Sequence, residues 1–291
     1  MLGLEDLELG LMFWAKENAR ETLREVKKFG LRAGQLGFPG ELSLEGAAEK
    51  WDEALKQEHF TVVTAVCSYQ GEDYKDIPTV QKTVGLVPEN TRAARIARTK
   101  AVSDVARELG LDSVACHIGF ISHDFGSAEY ATMRDVARDI CDYCAQNGQS
   151  FTLETGQEPA KVLLQFIADV DRPNLKINFD PANMILYGTG DPIEALGLLG
   201  KHVVSVHCKD GDWPPVDQPA ALGTEKALGE GSVDFSAFIS KLKEIGYRGL
   251  LSIEREEPDQ ARRAADIRKA IRLLEKLKAP AQAESSGQLK S

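Results

Sequence analysis

Short apolar runs alternate along the whole chain with longer segments in which apolar residues recur at helical spacing. Runs rich in Val, Ile, Leu and Phe lie near 7–14, 31–38, 60–68, 111–119, 149–155, 174–180, 202–209 and 249–255. Each reads as a strand. Between them the helical period predicts helices near 17–29, 45–57, 91–109, 128–147, 158–170, 191–199 and 234–246, with a last one near 260–278. Glycine punctuation agrees with that division. Gly30, Gly110, Gly148 and Gly246 each fall at a helix end just before a strand, where a left-handed C-cap residue is wanted. Asn90, Ser127, Asp191 and Asp234 stand where helices begin, as N-caps should.

Eight strand–helix units in succession predict a closed barrel, because parallel strands joined by helices all cross over in one hand. A doubly wound open sheet is the alternative, but no Gly-rich dinucleotide turn follows the first strand. The expectation is therefore one α/β domain, a single (β/α)8 TIM barrel over residues 1–278. The polar tail 279–291 is expected to be disordered. Three connections exceed a short loop: 69–90, 181–190 and 210–233. All follow strand carboxyl ends, the side on which barrel enzymes build active sites.

Composition narrows the function classes. The chain of 291 residues is 43% hydrophobic and 27% charged, which excludes a low-complexity or disordered protein. Length alone would suggest two domains, but α/β barrels of about 250 residues form one. Lys and Arg number 35 against 45 Asp and Glu, a net charge of −10 that argues against nucleic acid as a partner. The basic residues sit on amphipathic helices, as in Arg20 to Lys28, the pattern of a solvated face. No apolar run approaches the roughly 20 residues needed to span a bilayer, and the first residues lack the basic start of a signal peptide. Five cysteines, an odd number in apolar contexts, fit a reduced, cytoplasmic protein without a membrane partner. Cys141 and Cys144 have the spacing of a zinc or redox pair, yet no second pair accompanies them. Their helical register reads as buried helix positions.

The chemistry gathers at strand ends. The fifth predicted strand closes on Glu154, the sixth on Asp180, the seventh on His207 and the eighth on Glu254. Taken singly, each acid reads as a surface or capping residue and His207 as a core histidine. Taken together they come from four adjacent strands at equivalent heights. Three carboxylates and one imidazole suit one divalent ion, Mn, Mg, Co or Zn. Without a cation they would be mutually repelling anions.

The segments Glu154-Thr-Gly-Gln-Glu158, Asn178-Phe-Asp180-Pro-Ala-Asn183, His207-Cys-Lys-Asp210, Leu228-Gly-Glu-Gly231 and Ser252-Ile-Glu254 resemble the xylose isomerase-like barrel superfamily. Within it the chain is most similar to sugar phosphate isomerases/epimerases, with tagatose 3-epimerase, hydroxypyruvate isomerase and inosose dehydratase as relatives. The similarity runs over about residues 7–275. It implies a metal held by Glu154, Asp180, His207 and Glu254, and proton transfer by the catalytic pair Glu154 and Glu254 on a small-molecule sugar. Return of the proton to the same carbon gives epimerisation, return to the next carbon gives isomerisation, and loss of a hydroxyl gives dehydration. One departure is Asn183, where the tagatose epimerases have a histidine three residues after the metal aspartate. Asparagine hydrogen-bonds a hydroxyl but carries no proton.

Further candidates for substrate contact are His117, Glu158 with Gln157, Lys209, Asp210 and Trp14; core packing, helix starts and solvated charge are the plainer readings. Phe38 and Trp213 are candidates for an apolar wall, and Glu230 lies where barrels often bind phosphate. Two other readings compete with the isomerase. A three-zinc abasic-site endonuclease of the same superfamily needs many histidines. Of the five here, His59 and His202 precede strands and belong to the opposite rim. A non-catalytic sugar-binding barrel is the second. The sequence leaves room for a homo-oligomer.

Overall fold

A computed structural model describes residues 4–218 and 220–279, so all but the first residue of the tail expected to be disordered lies outside the described residues. The first unit shows how local sequence makes an element. Strand β1 (Leu9–Trp14) sends Leu9, Leu11 and Phe13 into the layer between sheet and helices, while Met12 and Trp14 meet Val66 and Ala115 in a separate small cluster. Asn18 then caps α1 (Ala19–Lys27) by accepting from the Glu21 amide. Gly30, at φ 82°, turns the chain into β2 (Ala33–Phe38). That φ suits glycine alone among unstrained residues.

The pattern repeats through α2 (Ala47–Glu58), β3 (Thr61–Cys67), α3 (Ile77–Thr83), α4 (Glu89–Glu108), β4 (Ser113–Cys116) and α5 (Ala128–Gln146). It continues with β5 (Ser150–Glu154), α6 (Ala160–Val170), β6 (Leu175–Phe179), α7 (Pro181–Tyr187), α8 (Pro192–Leu199) and β7 (Val203–Cys208). A hairpin of β8 (Asp210–Asp212) and β9 (Thr224–Lys226) precedes α9 (Phe235–Glu244), β10 (Leu251–Ile253) and α10 (Gln260–Lys278). Strands β1, β2, β3, β4, β5, β6, β7 and β10 close a parallel barrel in that order, β10 pairing back with β1. The fold is the expected (β/α)8 TIM barrel.

Ser127, Asp191 and Asp234 do cap helices, each accepting a backbone amide. Asn90 does not. Helix α4 opens at Glu89 behind Pro88, so Asn90 falls inside its first turn. The three long connections are also more ordered than their composition suggests. Segment 69–90 carries α3, 181–190 carries α7, and 210–233 folds into the antiparallel β8–β9 hairpin. Cys141 and Cys144 are fully buried on α5, and all five cysteines are free thiols. Among the described residues no helix is long and apolar enough to cross a membrane.

Candidate metal centre and active site

The parallel barrel brings the carboxyl ends of its strands to one mouth, and four side chains converge there. Glu154 ends β5, Asp180 follows β6, His207 lies in β7 and Glu254 follows β10. One donor atom from each lies within 4.8 Å of all the others. His207 Nδ1 is 3.0 Å from Glu254 Oε2, 3.1 Å from Glu154 Oε1 and 3.5 Å from Asp180 Oδ2. The residues are buried, Asp180 and His207 completely. Asp180 divides its work: Oδ1 caps α7 by accepting from the Asn183 amide at 2.9 Å, which leaves Oδ2 for the cluster.

Two carboxylate oxygens, Asp180 Oδ2 and Glu254 Oε2, are buried without a hydrogen-bond partner among the described residues. An unpaired buried acceptor costs about 1–3 kcal/mol, and more when charged. A cation facing both oxygens removes that cost. The donor set, three hard oxygens and one imidazole, suits a divalent ion.

The ring of His207 is oriented from behind. Its Nε2 lies 3.0 Å from Gln35 Oε1 and 3.1 Å from Asn178 Nδ2. Gln35 Nε2 donates to Asn178 Oδ1 at 3.3 Å, and that oxygen also accepts from Ser205 Oγ at 2.6 Å. With a cation on Nδ1, Nε2 would carry the hydrogen and Gln35 Oε1 would accept it. This is the arrangement that fixes a metal-ligating imidazole. Gln35 was missed in the sequence, where the only signal is one amide between Gly34 and Leu36 in an otherwise small and apolar strand.

Burial and charge set the protonation states in opposition. Burial pushes the Asp180 carboxyl up to about 6, against the pull of His207 and Lys209. Burial also acts on Glu154, but His117 and His207 outweigh it and hold its carboxyl below the ordinary range. Glu254 is held well below that range, burial being overcome by Lys209 and His207. Burial would lower His207, yet Glu254 and Glu154 drive it well above the usual imidazole value.

The cluster opens into a cavity of about 440 Å³. Of the predicted residues, Trp14, His117, Asn183 and Lys209 line it. Asn183 Nδ2 donates to Glu154 Oε1 at 3.1 Å. His117 Nε2 is 3.5 Å from the same oxygen, with Gln157 Nε2 3.4 Å from its Nδ1. Lys209 Nζ stands 3.5 Å from both Glu254 and Glu256. Glu72, Tyr74, Tyr187 and Glu225 complete the walls from the long connections. The sequence reading did not single them out, because their direction depends on how those segments fold.

Other predicted residues lie elsewhere. Glu158 is buried beside the cavity and accepts from the Ile121 amide at 2.7 Å, tying two mouth loops together; burial raises its carboxyl to about 8. Asp210 accepts four backbone amides and does not line the cavity. Phe38 is packed in the main core, Trp213 is exposed outside the cavity, and Glu230 pairs with Lys269 on the surface. His59 and His202 stand just before β3 and β7, on the amino rim. A hollow of about 610 Å³ at that rim has, among the described residues, Asp112 and Arg248 as its charged lining side chains. Among the described residues, the metal-competent group is the mouth cluster with its single histidine.

Residues 23–277 match the protein family described as Xylose isomerase-like TIM barrel. The crystal structure of a xylose isomerase domain protein from Planctomyces limnophilus is 40% identical and superposes with a TM-score of 0.87, covering 94% of this chain and 98% of that one. A D-psicose 3-epimerase crystallised in the presence of D-fructose shares the fold, at 16% identity and a TM-score of 0.67, over 94% of this chain and all of that one. The uncharacterized protein MJ1311 of Methanocaldococcus jannaschii is 26% identical over 62% of this chain; the chain spans 63% of that relative's length.

Proposed function

The chain belongs to the xylose isomerase-like TIM barrel family, and we propose that it is a divalent-metal-dependent isomerase or epimerase of sugars. The observation that carries this reading is the mouth cluster: four converging donors, two of them buried oxygens without a hydrogen bond among the described residues, opening on a cavity lined by polar and apolar side chains. Glu154, Asp180, His207 and Glu254 would hold the ion. When bound, Mn, Mg, Co or Zn polarises a sugar carbonyl and its neighbouring hydroxyl and stabilises the negative charge left as the α-proton departs.

The chain's own residues supply the proton chemistry. Glu154 and Glu254 are both held as carboxylates, the form that a general base needs. One takes the α-proton as a carboxylate; the other, on a different strand, gains a proton from solvent before it returns one to the substrate. Asn183 steadies Glu154 through its amide and cannot itself move a proton. His117, beside Glu154, and Lys209, beside Glu254, face the cavity and can bind hydroxyls.

Incubation of the metal-replete protein in D₂O with aldoses and ketoses tests the proposal. Deuterium should enter the carbon next to the carbonyl, and no exchange with any sugar would leave a non-catalytic sugar-binding barrel as the better reading. The same experiment on Glu154→Gln and Glu254→Gln separates the two glutamates. Full exchange in either variant contradicts the paired mechanism.

A further inference from the structure

Barrel enzymes frequently hold a substrate phosphate with backbone amides of the loops after the seventh and eighth strands. The connection after β7, the seventh barrel strand, gathers such amides here, and they are already taken. Asp210 Oδ1 accepts from Gly211 at 2.8 Å and Val233 at 3.1 Å. Its Oδ2 accepts from Gly229 at 2.8 Å and Gly231 at 3.0 Å. The carboxylate is buried, and the packing is close: a Cβ on Gly231 would lie 2.3 Å from Asp210 Oδ1. This nest has room for one anion, and the chain supplies it.

The cations near the mouth also face acids or carbonyls of the chain itself. Among the described residues, Lys209 is the one Lys or Arg lining the cavity, and it stands between Glu254 and Glu256. Arg95 donates to the carbonyls of Gly85 and Gln70, and Arg98 to those of Ser68 and Leu42. Arg255 is held by Glu225, Glu257 and Asp266. Glu41, Glu72, Glu225 and Glu256 make the remaining charged wall. A phosphate dianion needs free guanidinium, ammonium or amide donors, and this mouth presents acids.

We propose that the cavity takes an unphosphorylated sugar, and that Asp210 occupies as an internal anion the place where other barrels seat a substrate phosphate. The proposal rests on the isomerase reading and adds the substrate class. Deuterium wash-in on the Mn-replete protein, with D-fructose against fructose 6-phosphate and D-ribulose against ribulose 5-phosphate, tests it directly. The free ketoses should exchange faster by about a hundredfold or more, since like charges brought together in a desolvated site are strongly disfavoured. Faster exchange on the phosphate esters overturns the proposal and leaves the isomerase standing. Exchange on neither series, nor on any other aldose or ketose, overturns the isomerase reading, and a binding measurement then decides the role of Asp210. Inorganic phosphate, compared with chloride at equal ionic strength, should leave the wild-type melting temperature unchanged and raise that of Asp210→Ala, whose four amides are freed. Asp210→Asn serves if Asp210→Ala does not fold, and should show a smaller rise. Phosphate stabilising the wild type as much as the variant overturns the proposal.

Discussion

Two buried aspartates at the barrel mouth, Asp180 and Asp210, follow neighbouring strands and have opposite surroundings. Asp210 has both oxygens saturated by four backbone amides. Asp180 spends one oxygen on a helix cap and keeps the other buried and unpaired. Burial is the same in both, so burial alone does not separate a structural acid from a ligand. The unmet hydrogen-bond capacity does. A carboxylate whose acceptors are filled organises the loop around it, while one left empty costs free energy that only a cation or proton can recover. Glu58 is a third case, on the barrel flank, where Arg20, Arg24 and Lys27 satisfy one carboxylate on the α1–α2 face.

The largest test of this contrast lies in the unsatisfied group. Glu154→Gln or Glu254→Gln should lower the deuterium-exchange rate by about a thousandfold, the scale of a lost acid–base group, with the circular dichroism spectrum unchanged. A variant within tenfold of wild type, on that about thousandfold scale, would break the assignment. Asp210→Ala should instead act on the fold. Four orphaned amides predict a loss of about 3 kcal/mol in chemical denaturation, and an unchanged midpoint would show that water replaces the carboxylate at no cost. Gln35→Leu should fall between these two effects. Its volume suits the lumen, but the imidazole Nε2 loses its acceptor, so Mn affinity measured by electron paramagnetic resonance should drop about 10–100-fold. Gln35→Glu, which restores an acceptor, should recover much of it. Equal Mn affinity in all three proteins would remove Gln35 from the site.

The smallest expected effect concerns Glu58. Its three cations hold the carboxyl at about 2, below the ordinary 4.5. A depressed acid contributes stability in full above its unfolded value and loses it as pH falls toward the folded one. Stability should therefore drop between about pH 4.5 and pH 2 with a component that Glu58→Gln lacks. Superimposable acid limbs for the two proteins would assign the loss to other carboxylates.

The order of elements and the four donors were legible because each is encoded locally. A helix stops at Gly30, Gly110, Gly148 or Gly246 with φ between 71° and 82°, and such a stop needs no distant partner. Glu154, Asp180, His207 and Glu254 could be read as neighbours because in a parallel barrel every strand end arrives at the same mouth. Residues whose role depends on distant partners were not legible. Gln35 meets Asn178 and His207 across 143 and 172 residues of chain, a contact fixed by the register of the closed barrel. Asp210 looked like a site residue by its place beside His207 and Lys209. The fold of 211–233 instead brings four amides back onto it.

The sequence by itself determined the eight barrel strands and the helices between them, though not α3, α7 or the β8–β9 hairpin, and it determined that eight units close a barrel and which acids stand at the strand ends. Those follow from periodicity and from capping, which act over a few residues. Tertiary structure decided which of those acids remain unsatisfied, how His207 is turned, and whether a donor is left for an anion. Those depend on hydrogen bonds between strands and loops far apart in the chain, whose geometry exists only once the barrel has closed.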